Sequence, residues 1–296
     1  MINIEVNLVS SLLESINSIF SSLISSINNN IYTVLDDLIF VNSNIFDNSS
    51  LNKLLDTTAT TGITYVCNSL VAGFVLYYAI SLVLSHLTFS QVQRPASFIF
   101  KLVICIVALN NAFNLCYSAI FVNSCITNLI RNVGRNLFDT QICFNTLIEN
   151  LNSTIYADQT TFNLFTFNGL IKAFISIGFV NLAISYSLRY VMIRVFMLIC
   201  PFAILSLSID KFNWIFKAWC KIFLSLLFLQ ILVALILLIT FSIKYDPNNV
   251  FSQLLYIGSI YALIKANSFL KEFMGGLTTD VNFGLSTIKN LISGGG

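Results

Sequence analysis

The chain reads as an all-α, polytopic integral membrane protein with five transmembrane helices, six being the alternative, plus amphipathic N-terminal helices. Three observations predict this class. Hydrophobic residues make up 56% of the 296 positions and charged residues 9%, where a soluble domain carries roughly 25% charged residues. Several apolar runs exceed the ~18 residues that mark a membrane span. Outside those runs, near the start, apolar residues recur at helical spacing, as in Val9, Leu12, Leu13, Ile16, Phe20 and Leu23, with polar residues opposite.

Taken in order, residues 1–62 form an extracytoplasmic amphipathic segment. Its first helical stretch ends near Asn28–Asn30, and a second carries Ile31, Val34, Leu35, Leu38 and Ile39. These faces are acidic, whereas interfacial helices are usually cationic, so packing or self-association is expected rather than a place on the lipid surface. The stretch 42–61 is polar and reads as a loop. The transmembrane domain is 63–267. Its spans are expected at about 63–87, 97–122, 170–188 (running on to Cys200), 222–243 and 250–266. An external loop, 123–167, follows the second span. A cytoplasmic elbow, 201–221, follows the third. Pro201 lacks an amide hydrogen and marks a helix break. Residues 268–296 form a cytoplasmic amphipathic tail.

Charge sets the orientation. Lys53, Arg131, Arg135, Lys172 and Lys244 fall with the N-terminal side, among many carboxylates. Arg94, Lys101, Arg189, Arg194, Lys211, Lys217, Lys221, Lys265, Lys271 and Lys289 fall on the other. The cation-rich side is expected in the cytoplasm, leaving the N-terminus outside and the C-terminus inside the cell membrane. Treating Tyr190–Leu207 as a sixth crossing would bury Arg194, and a charge at the bilayer centre costs about 3 kcal/mol even on the mild insertion scale.

Chemistry-bearing patterns are sparse. The one histidine, His86, ends the first span. No metal-binding HExxH, phosphate loop, dinucleotide fingerprint or GxSxG elbow occurs, so neither an enzyme nor a bound cofactor or metal is expected. The seven cysteines form no CxxC pair. Cys125 and Cys143 share the expected outer loop, and spacing leaves their pairing open. No Lys/Arg cluster marks a nucleic-acid groove.

The informative polar residues lie inside spans: Asn110, Asn111 and Asn114 in the second, Asn181 in the third, Gln230 in the fourth. An amide in hydrocarbon must find a partner. These side chains therefore serve either as glue between helices or as the lining of a passage between subunits. Arg189, Arg194, Lys211, Trp214, Lys217, Trp219 and Lys221 are either inner-face anchors or a docking surface for a cytoplasmic partner.

The run SLRYVMIRVFMLICPFAILSLSIDKFNWIFKAWCKIFLSLLFLQ, Ser187–Gln230, resembles the core of TrbL-like proteins, polytopic membrane subunits of conjugative type IV secretion systems. There an Arg-bearing helix runs to a proline, a short apolar piece, a Trp/Lys elbow and another span. Here the landmarks are Arg189, Arg194, Pro201, Trp214, Lys217, Trp219 and Lys221. The ending KEFMGGLTTDVNFGLSTIKNLI is similar to the C-terminus of the Gram-positive branch. The resemblance covers about the second half of the chain. It implies a non-enzymatic subunit that oligomerises around the translocation route and helps form the channel for DNA and protein. Other secretion subunits, including cytoplasmic ATPases that supply the energy, would be its partners, with transient contact to the translocated DNA or protein. A small-solute transporter or permease subunit is the alternative, and it requires a binding site at a broken helix near mid-membrane.

Overall fold

The chain forms helices at every described residue that has regular structure. The computed structural model describes residues 14–19, 22, 32–42, 62–88, 94–147, 149, 167–243 and 249–274. The main helices are α1 (Tyr32–Ile39), α2 (Ile63–Thr88), α3 (Pro95–Asn110), α4 (Ala112–Phe138), α5 (Phe167–Leu205), α6 (Asn213–Ser242) and α7 (Val250–Met274). Two short 3-10 turns, Ser206–Ser208 and Asp210–Phe212, join α5 to α6. Among the described residues, four stretches are long and apolar enough to cross a bilayer: Ile63–Thr88, Ala112–Phe138, Ile177–Ser208 and Asp210–Ser242. The protein is therefore all-α, with the helix lengths and composition of a polytopic membrane protein. The first amphipathic stretch is helical at 14–19 and 22. Its remainder, the loop 43–61, residues 150–166 and the tail from 275 lie outside the described residues.

Named contacts give the relative directions of α2 to α6. Tyr78 stacks on Phe98 with ring centroids 3.8 Å apart, and Asn68 donates to Asn110, so α2 and α3 are antiparallel. At the far end of α3, Cys200 of α5 meets the Ala112 carbonyl, while Lys101 pairs with Asp210 at 2.5 Å. Both partners of that pair are well exposed, so it contributes little to stability. Trp219 donates to the Phe196 carbonyl and Arg189 to that of Leu226, which makes α5 and α6 antiparallel. α4 runs parallel to α6: Asn123 bonds Gln230, and further along Gly134 approaches Leu238.

Two expectations are corrected, and the six-span alternative is set aside. The second span does not end at Val122. It is interrupted at Asn111 and continues as helix to Phe138, so 123–138 is helix, not external loop. Asn111 has φ −105° and ψ 12°. Its backbone N–H bonds Ala108 and its side chain takes the Val107 carbonyl. The short amide side chain competes with the helix's own bond and bends it there. The helix also does not end at Pro201: α5 passes through it and stops at Leu205. The missing N–H frees only the carbonyl one turn back, and the chain leaves helical geometry at Ile209, where φ is −121° and ψ 124°. Most of the expected elbow 201–221 is thus helix, and the true turn is 206–212. As for the alternative crossing Tyr190–Leu207, residues 190–205 of it belong to one unbroken 39-residue helix, about 58 Å long at a rise of about 1.5 Å per residue, and not to a crossing of their own.

α5 is the spine, and two apolar clusters sit along it. Phe179, Leu182 and Tyr186 pack with Leu229, Val233 and Leu237 of α6, Ile260 and Leu263 of α7, and Leu35 and Ile39 of α1. Ile193, Met197, Cys200 and Ile204 pack with Leu109, Ala112, Cys116, Ile120, Leu226 and Cys67. α1 is thus packed into the bundle, as the acidic face led us to expect. α4 ends at Asp139, the one non-glycine residue with positive φ among those described (53°), a left-handed cap that Asp tolerates. The chain then turns back so that Ile142 lies on Gly134.

A side chain at Gly134 would collide with Ile142 and come within 2.8 Å of Leu238. Gly134→Val is expected to destabilise the detergent-solubilised protein by about 1–3 kcal/mol, read as a lower melting temperature. Gly73→Val, where nothing lies within 4 Å of the added carbon, should leave the melt nearly unchanged.

Candidate functional site

Between the two clusters lies a charge. Arg189 is fully buried, with 0% of its surface exposed. Its Nε donates to the Leu226 carbonyl at 2.7 Å and its Nη1 to the Ile39 carbonyl at 2.9 Å. Ile39 is the last residue of α1, so its carbonyl has no partner within the helix. A cation at that end also meets the negative pole of the helix dipole. Nη2 has no partner among the described residues. Arg189 therefore does not belong to a docking surface. It was expected at the inner interface, but the helix runs on sixteen residues beyond it to Leu205, which leaves it deep in the bundle.

The polar surroundings extend outward from this point. One turn along α6 from Leu226, Gln230 accepts from buried Asn123 of α4 at 3.2 Å. Thr127 bonds back to the Asn123 carbonyl. Gln230 is thus the interhelical glue that the sequence allowed. Asn181 keeps a buried Oδ1 without partner among the described residues.

Two further residues secure α1. The Asp36 carboxylate accepts from the backbone N–H groups of Phe144 (3.0 Å) and Asn145 (3.3 Å), capping the helical turn 144–147. Arg131 donates to the Ile142 carbonyl at 2.9 Å and lies 4.4 Å from the Phe40 ring centroid, a cation–π contact. Burial pushes the Asp36 carboxyl above its usual range, opposed by the two N–H bonds and by Arg131. Sequence reasoning missed Asn123, Asp36 and Arg131 because it assigned them to external segments. The signal for Asn123 was present: Cys116, Ile120, Asn123 and Thr127 continue one helical face past the expected end.

The remaining expected residues separate into groups. Trp219 is turned inward, its ring stacked on Phe223 at 5.1 Å. Arg194 is half-buried, bonded to the Tyr190 hydroxyl and 4.7 Å from that ring's centroid. Lys211, Trp214, Lys217 and Lys221 are exposed, and the last three share one face of α6 by their spacing. Asn110, Asn111 and Asn114 are all exposed on the isolated chain, with the helix break falling between Asn110 and Asn114. Cys125 is exposed and Cys143 buried, and both are free thiols.

No protein-family model, curated protein or solved structure matches this chain.

Arg189→Lys replaces a planar fork by a single ammonium that cannot reproduce both carbonyl bonds. It should cost about 1–3 kcal/mol, seen as a lower melting temperature in detergent. The Asp36 pKa is raised on folding, so its contribution to stability is complete below the unfolded-state pKa and is lost as pH rises through the folded-state value. The melting-temperature difference between the wild type and Asp36→Asn should therefore shift against the wild type as pH rises across that window. A pH-independent difference would contradict the assignment.

Proposed function

We propose that this chain is a membrane channel or scaffold subunit of a type IV secretion apparatus, helping to form the route across the cytoplasmic membrane in conjugative DNA transfer. The observation that carries this reading is the likeness of Ser187–Gln230 to TrbL-like proteins. Its support is that this stretch forms the spine of the fold: the Arg-bearing helix α5, the turn 206–212 and the start of α6. At that turn Lys211, Trp214, Lys217 and Lys221 project from the bundle. In this reading they face the cytoplasm, following the cation bias, and receive a partner such as the secretion ATPase. The N-terminal segment then lies outside, meeting the cell-wall-side assembly.

A second reading is a small-solute transporter or permease subunit. The break at Asn111 favours it, because transporters place their sites at discontinuous helices. Genes for a relaxase and secretion ATPases beside this one would favour the first reading, and an ABC-type ATPase gene the second.

Lys217→Glu combined with Lys221→Glu reverses charge on an exposed face without touching the core. Co-purification of the secretion ATPase with the membrane complex should fall several-fold. Unchanged co-purification would count against docking at this face.

A further inference from the structure

We infer that the outward face of α4 is a self-association seam that packs against the same face of a second copy of this chain. Asn111, Asn114, Ser118, Cys125, Asn128 and Asn132 are all exposed. With Phe121, also exposed, they recur three or four residues apart from the helix break at Asn111 to Asn132. That 3.5-residue period is the spacing of a helix–helix seam. The opposite face carries Cys116, Ile120, Asn123 and Thr127, all buried within the chain, so the two faces have different partners.

Lipid does not suit this stripe. It extends over about 32 Å at a rise of about 1.5 Å per residue, against a hydrocarbon core of about 30 Å. With α4 taken as a crossing helix, as its length and composition allow, headgroups at the two ends cannot hydrate its middle. Among the described residues, the side chains of Asn114, Asn128 and Asn132 have no hydrogen-bond partner, and amides in hydrocarbon seek one. A second copy meets this requirement best. Each amide is both donor and acceptor, so the neutral Asn/Ser stripe from Asn111 to Asn132 satisfies itself across a symmetric contact, with exposed Arg135 following only at its end. Leu115, Val122, Leu129 and Val133 are more than half exposed beside the stripe and supply an apolar border on one side. The inference goes beyond the secretion reading and does not need it, since a transporter could associate in the same way.

Cys125 tests the seam directly: it lies mid-stripe with an exposed thiol. The full-length protein in native membranes is oxidised with copper phenanthroline and run on a non-reducing gel. A disulfide-linked dimer is expected, lost in Cys125→Ser and retained in Cys220→Ser. In the Cys125→Ser background, Ser118→Cys and Asn128→Cys should restore the dimer. Leu224→Cys, exposed on α6, should not. Equal cross-linking at Leu224→Cys and the seam positions would overturn the inference. So would no dimer from any seam position. If seam thiols instead react with a membrane-impermeant maleimide without cross-linking, the stripe lines water and the seam is wrong. Cross-linking to a different protein would refute self-association too.

Discussion

A guanidinium held away from solvent constrains the rest of this structure. Charged groups deep in a membrane protein are costly, and their hydrogen-bond capacity must be met from inside. Arg189 draws on two carbonyls from different elements, Ile39 at the end of α1 and Leu226 in the middle of α6. Arginine suits this role better than lysine because its planar fork reaches two acceptors at once. The contact fixes the depth of α1 in the bundle and its register against α5 and α6. The apolar clusters then fill the space on either side of the charge.

The other polar contacts extend the same scheme. Asp36 caps the turn at Phe144 and Asn145, Arg131 holds Ile142 and covers Phe40, and Gly134 allows Ile142 to come close. Together they bind the N-terminal helix to the end of α4. Asp36 and Arg131 each bond backbone atoms of the segment that follows α4. In a setting without water, backbone carbonyls and amides are the acceptors and donors always within reach. The bundle therefore has a tied interior around α5, while α2 presents an almost wholly outward apolar surface.

This division bears on function. Three of the exposed groups near the turn, Trp214, Lys217 and Lys221, share one face of α6, and Lys211 lies just before it. The exposed amides Asn114, Asn128 and Asn132, without a partner among the described residues, lie along the outer face of α4. Both are held by helices whose opposite faces are packed, so they are rigid platforms for contacts rather than parts of a mobile loop. Arg189 and Trp219, by contrast, serve the fold. Their side chains make carbonyl contacts between helices.

Class was legible in the chain because it depends on composition and run length, which folding does not alter. The first span at 63–87, the fourth at 222–243 and the helical character of α7 followed from apolar runs alone. Asn110, Asn111 and Asn114 stood out because an amide within such a run demands a partner. What hydropathy could not reveal is where a polar helix continues inside the protein. Residues 123–138 look like a loop, yet Asn123 and Thr127 are paired internally and Gly134 admits a close neighbour. Nor could it separate a buried cation from an exposed one, since Arg189 and Lys217 carry the same charge. That distinction was decided by three-dimensional packing, through which carbonyls of α1 and α6, distant in sequence, are brought within bonding reach of one side chain.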